Sequence, residues 1–169
     1  MENPCHVMAF TIPENPFEAT TDPDRHQIWD RLMRADSEAF VAGDWELIEK
    51  DFDVELFEGV RCQMSANPDD WRIAFPDLAS YRDNWLKAAK EFATKKFVSV
   101  TPLEALYVRS HLAEIEVAGA RALAHKQFYG EVALADGSSL SGRRQTIYRL
   151  HKQGSQWRIV GFLGYLPLP

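Results

Sequence analysis

The chain has 169 residues, 46% of them hydrophobic and 26% charged, which suits one globular domain with a single sizeable core. Its net charge is −6, and no basic block exceeds the pairs Lys95-Lys96 and Arg143-Arg144, so nucleic acid is excluded as the expected partner. Cys5 and Cys62 form neither a metal pattern nor a disulfide framework, and no apolar run has the length of a signal peptide or a membrane span, so a cytoplasmic location with no membrane partner is expected.

Residues 1–22 carry Pro4, Pro13 and Pro16 without periodicity and read as an extended arm; its apolar Val7, Met8, Phe10, Ile12 and Phe17 predict that part of it packs on the body or on a second subunit. Residues 23–169 read as one domain. Thr21-Asp22-Pro23 is a helix start, an acceptor side chain followed by a proline whose missing N–H costs nothing. That helix should run to Ala42 and stop at Gly43, with Asp44 capping a short second helix to Asp51. Leu56–Gln63 reads as a strand, and Asn67-Pro68 as a turn. Pro76 opens a third helix through Thr94, with Leu78, Tyr81, Trp85, Ala88, Ala89 and Phe92 at helical spacing.

From Phe97 onward the apolar period changes from helical to two. Leu106–Val117, Arg121–Ala135, Leu140–His151 and Trp157–Leu166 read as long strands joined by turns at Ala118-Gly119-Ala120, Ala135-Asp136-Gly137-Ser138 and Gln153-Gly154-Ser155. Helices first and strands afterwards predict an α+β fold: a strongly curved, mostly antiparallel sheet wrapped on the third helix, with a cavity at its open end.

Three segments, AGDWELIEKDF, VAGARALAHKQF and GRRQTIYRLHKQGSQWRIVGF, resemble the nuclear-transport-factor-2-like superfamily, in particular its SnoaL-like branch. The resemblance implies a cone-shaped, cystatin-like fold, a pocket at the wide end and frequent dimerisation through the sheet. The superfamily holds isomerases, dehydratases, cyclases, epoxide hydrolases and non-catalytic binding modules, so the fold does not fix the function. In its steroid isomerases a helix tyrosine and a strand aspartate enolise the substrate; their places fall here at Asp36 and at Gly59 or Val60, with Glu58 nearby but not equivalent. The aspartate of the SnoaL-like dehydratases falls at Val41. Neither known machinery is intact. The dehydratases' strand histidine resembles His111 in Arg109-Ser110-His111.

Asp36 is the sharpest anomaly in the residues themselves. It occupies the apolar stripe Trp29, Met33, Asp36, Phe40 of the first helix, where a carboxylate is costly unless paired or facing a wet cavity. It reads as a pocket acid or base, or as a structural aspartate bonded to a neighbouring strand or an arginine, or one at the edge of the stripe. His111 shares strand parity with Ile115 and Val117 and reads as inward barring a bulge, a proton carrier or a bonded core histidine. Lys126 lies on the apolar face of Ala122, Ala124 and Phe128, as a pocket cation or a lysine reaching past the rim. Arg144 and Tyr148 share the apolar parity of Thr146 and Leu150. An inward Arg144 requires an acidic partner, either Asp36 or a ligand carboxylate, while Tyr148 could donate to an oxyanion. Tyr81 and Trp85 read as core that could line a ligand site. His125 falls on the outer face.

These residues support two functional readings. One is a cofactor-independent lyase or isomerase acting on a small apolar or carboxylated molecule, with Asp36 and His111 moving the proton and Tyr148 or Arg144 holding the developing charge. The other is a module that binds a small ligand or dimerises without turnover. No spacing suggests a metal site or a phosphate loop. A homodimer is expected through the outer sheet face, on Leu123, Tyr129, Ile147, Val160 and Phe162.

Overall fold

Asp22 accepts a hydrogen bond from the Arg25 backbone N–H at 3.2 Å, and Pro23 fills the first helical position, so the first helix starts where the cap residues dictate. The computed structural model describes residues 10–169. Helix α1 (Pro23–Trp29) continues through a π-helical stretch, Asp30–Ala35, into α2 (Asp36–Ala42), which ends at the left-handed Gly43. The short second helix is two 3₁₀ turns, Trp45–Leu47 and Glu49–Asp51. Helix α3 spans Leu78–Ala93, capped by Asp77.

A fourth helix, α4 (Pro102–Arg109), replaces the first third of the strand expected at Leu106–Val117. Its capping box is complete: Thr101 Oγ accepts from Glu104 N–H at 3.2 Å, and the Glu104 carboxylate accepts from Thr101 N–H at 2.7 Å. The Thr-Pro-x-Glu signature was present in the sequence but lay inside a segment of period two.

The strands are β1 (Glu58–Arg61), β2 (Arg72–Phe75), β3 (Ser110–Ala118), β4 (Arg121–Phe128), β5 (Val132–Ala133), β6 (Ser139–Leu140), β7 (Arg144–Gln153) and β8 (Gln156–Leu166). Six form one sheet in the order β2-β1-β8-β7-β4-β3, and β5 with β6 makes a separate ribbon. The expected meander is present from β3 to β8, but β1 pairs with β8 in parallel. Strand β2 was not expected, and the second and third long strands are each split by the ribbon.

The core packs the N-terminal part of the first helix against the sheet. Helix α1 lies against β3 and β8, whereas α3 packs on α2 and β2, so the sheet wraps the first helix and not, as the sequence suggested, the third. Trp157 on β8 is fully buried; its backbone N–H donates to Gln27 Oε1 at 2.6 Å and its indole to Asp24 Oδ1 at 2.9 Å, which docks β8 onto α1. Phe10 and Phe17 of the arm pack against the core and Ile12 is exposed; Val7 and Met8 lie outside the described residues. No described helix is long and apolar enough to cross a membrane.

Bulges decide which side chains face inward. In β8, Arg149 opposes Gly161 and Leu150 opposes Ile159, leaving Val160 as the extra residue. Phe162 therefore turns inward opposite Tyr148 and joins the core, and Val160 is buried as well. The outer patch expected from five residues loses these two; Leu123 remains exposed.

Candidate functional site

The wide end of the curved sheet, closed by α2, α3 and α4, encloses a cavity of about 400 Å³. Strand pairing explains its polar lining. Lys126 opposes Thr146, Phe128 opposes Arg144 and Ala124 opposes Tyr148, so alternate residues of β4 and β7 point into one space. Asp36 and Phe40 enter from α2, Tyr81 and Trp85 from α3, and Arg109 from α4. Six of the seven residues singled out from the sequence line this cavity: Asp36, Tyr81, Trp85, Lys126, Arg144 and Tyr148.

The pairing among them differs from the one the sequence suggested. Asp36 binds Lys126, not Arg144: Lys126 Nζ donates to Asp36 Oδ2 at 3.1 Å and to the Leu32 carbonyl at 2.6 Å. That carbonyl is available because of the π-helical turn. The Asp36 backbone N–H reaches five residues back to Arg31 O, so it does not close the usual bond on Leu32. The Lys126 side chain is 3% exposed and does not reach past the rim, while the Asp36 side chain is 31% exposed. The Trp85 indole donates to Asp36 Oδ1 at 3.4 Å. The anomalous carboxylate of the apolar stripe is thus the counter-ion of a buried lysine.

Tyr148 and Tyr81 flank this pair. Burial, reinforced by the negative charge of Asp36, pushes the Tyr148 phenol well above its ordinary value. Burial does the same to Tyr81, with Tyr148 and then Asp36 adding to it. Both stay neutral at any ordinary pH and can offer a hydroxyl to a bound molecule.

Arg144 stacks between two rings, with its guanidinium carbon 4.4 Å from the Phe128 centroid and 4.6 Å from that of Tyr165. Arg61 faces the same Tyr165 ring at 5.4 Å and Phe75 at 5.2 Å. Arg109 spends its donors on the carbonyls of Gly130, Leu140 and Gly142, tying the ribbon β5–β6 to α4. Burial, and then the charge of Arg144, lower the Arg109 guanidinium below its ordinary value.

His111 is not in the cavity. Leu112 opposes Lys126 and Glu114 opposes His125, so Ala113 is an extra residue and the parity counted back from Ile115 fails by one. Ser110 faces the cavity instead, and the His111 ring stacks on Tyr129 with centroids 3.9 Å apart. Burial lowers the His111 imidazole below its ordinary value. Asp36 and His111 are therefore not brought together.

Sequence reasoning missed Arg61, Arg109 and Tyr165 as cavity residues. Arg61 could have been found, since it shares strand parity with the buried Phe57. Tyr165 could not, because its side chain reaches the cavity from a left-handed backbone, φ 58°, beyond the β8 bulge. Outside the cavity, Glu114, Glu116 and His125 place ligand atoms within 4.8 Å of one another on the exposed face, with His125 Nε2 2.7 Å from Glu116 Oε1. The free Cys62 is fully buried, and burial raises its thiol, which makes it a poor nucleophile.

No family model and no curated protein matches the sequence. Solved structures do match. A protein from Streptomyces avermitilis, proposed as a dehydratase of the nuclear-transport-factor-2-like family, superposes with a TM-score of 0.57 at 14% identity, over 88% of this chain and 99% of the other. The chain has the nuclear-transport-factor-2-like fold. A protein of that type and unknown function from Shewanella baltica gives a TM-score of 0.54 at 13% identity, covering 88% of this chain and 97% of the other. A cystatin-like protein from Nostoc punctiforme gives 0.54 at 12% identity, covering 88% and 94%. At such identities the likeness concerns the nuclear-transport-factor-2-like backbone and carries no residue roles.

Proposed function

We propose that this chain binds a small, partly apolar molecule, one or two rings across, in the cavity at the wide end of the cone. One observation carries the reading: six polar and aromatic side chains, from α2, α3, β4 and β7, converge on a single space of about 400 Å³. That size and this mixture of aromatic walls with a few fixed polar groups are what small-ligand sites have. The Asp36–Lys126 pair anchors the inner wall, and the neutral phenols of Tyr81 and Tyr148 supply donors beside it. Titration calorimetry against a panel of one- and two-ring compounds tests the reading. Binding that is lost when Ala88 at the cavity wall is enlarged to Trp supports it, and unchanged binding in Ala88→Trp overturns it.

A second reading, turnover as a cofactor-independent lyase or isomerase, is favoured by the partial exposure of Asp36 beside Tyr148. In it the Asp36 carboxylate takes a proton from carbon next to a carbonyl, and the Tyr148 hydroxyl donates a hydrogen bond to the developing enolate oxygen. His111 has no part in this version. Exchange of α-protons in small ring ketones dissolved in D2O, followed by proton NMR, measures it. Exchange abolished in Asp36→Asn supports turnover; no exchange above buffer leaves binding as the function.

A further inference from the structure

The sequence left two partners open for an inward Arg144, Asp36 or the carboxylate of a ligand. Lys126 has taken the first. Among the described residues no acid forms an ion pair with Arg144 or with Arg61. Each instead stacks on Tyr165, and the Nε of each is buried without a partner. Among the described residues the cavity is lined by four cations, Arg61, Arg109, Lys126 and Arg144, against one carboxylate, that of Asp36. This sits inside a chain whose overall charge is −6. Two unpaired guanidinium groups held against one ring repel each other, so the fold maintains an arrangement that favours a negative charge between them.

The backbone is shaped for that arrangement. Tyr165 sits at φ 58°, a left-handed conformation that a bulky side chain rarely adopts. Its carbonyl accepts from Met64 N–H at 2.7 Å, beyond the end of β1, which fixes the residue that both arginines use as a platform. The Asn84 side chain accepts from Arg61 at 3.3 Å and sets the fork of that guanidinium.

We infer that Arg61 and Arg144, aligned by Tyr165, form an anion subsite that takes the carboxylate of a small organic acid whose apolar body lies against the aromatic wall. A guanidinium fork matches a planar carboxylate in two parallel hydrogen bonds. The inference rests on the cavity being the binding site and adds the charge of what enters it. Lys126 is committed to Asp36 and Leu32, and Arg109 to three carbonyls, so the donors left are those of Arg144 and the ones of Arg61 not spent on Asn84.

Matched pairs of an acid and its neutral amide test this: phenylacetate with phenylacetamide, and 2-naphthoate with 2-naphthamide, titrated calorimetrically into the full chain at low salt. Each acid should bind roughly tenfold or more tighter than its amide, the factor expected of a charged hydrogen bond. Arg144→Met and Arg61→Met should each remove most of that preference, weakening the acid far more than its amide. The acid–amide comparison in the unaltered chain needs no variant, so a misfolded Arg144→Met leaves the test intact. Equal binding of acid and amide overturns the subsite and leaves the cavity as a neutral-ligand site. Failure of all four compounds to bind overturns the cavity reading and the subsite together.

Discussion

At Asp36 a polar residue in an apolar stripe had two readings, a free pocket acid or half of a pair. A free pocket acid would leave stability unchanged in Asp36→Leu. The 3.1 Å contact with Lys126, itself almost wholly buried, reverses that expectation. Removing the carboxylate strands a buried ammonium with only the Leu32 carbonyl and the face of Phe128, 5.6 Å away. Asp36→Leu should therefore cost roughly 3 kcal/mol, the low end for a broken buried pair because Asp36 is partly exposed. Lys126→Met should cost less, since the carboxylate it leaves can be hydrated from the cavity. The double variant should regain at least half of the Asp36→Leu loss, because an apolar pair needs no counter-ion. Urea melts of the three variants measure this; additive losses would show that the two residues do not act as a pair.

Elements place these residues, and two of them depend on single positions. Helix α4 brings Arg109 to the cavity and is short enough to depend on its cap. Thr101→Ala removes the acceptor for Glu104 N–H and should cost about 1 kcal/mol, read as a shift in the urea midpoint with an unchanged slope. The parallel pairing of β1 with β8 depends on Gly161, whose φ is 154° and where a Cβ would lie 2.2 Å from the Glu58 carbonyl oxygen. That atom belongs to the paired strand and cannot move aside without opening the ladder. Gly161→Ala should cost more than about 2 kcal/mol and should lower amide exchange protection in β1 before β7. Equal protection losses in both strands would show that the effect is not local to the pairing.

Over the whole molecule, burial sets the response to pH. His111 and His151 are both held below the ordinary histidine value near 6.5, in each case chiefly by burial. The unfolded chain therefore takes up protons that the folded one refuses. Stability from this source is complete above about pH 6.5 and falls as pH drops through the lower folded values. The melting temperature should decline between pH 7.5 and 5, and His111→Phe, which keeps the stack on Tyr129, should flatten that decline. A slope unchanged in His111→Phe would assign the effect elsewhere. A further loss is expected below about pH 4, where carboxylates held low in the fold protonate: Asp24 by its bonds to Lys152 and Trp157, and Asp30 by Arg34.

The α+β class, the first and third helices, the inward face of β4 and β7 and six cavity residues were legible in the sequence, because caps and alternation are local properties of the chain. What required the tertiary structure was everything that depends on counting across an irregularity. One extra residue at Ala113 moved His111 out of the cavity, and one at Val160 moved Phe162 in. The partner of Asp36 was decided in the same way: the π-helical turn frees the Leu32 carbonyl, and together with Asp36 it holds Lys126, leaving Arg144 to its rings. Alternation fixes a face only while pairing stays in register. A bulge is set by contacts between segments distant in the chain, which no local pattern encodes.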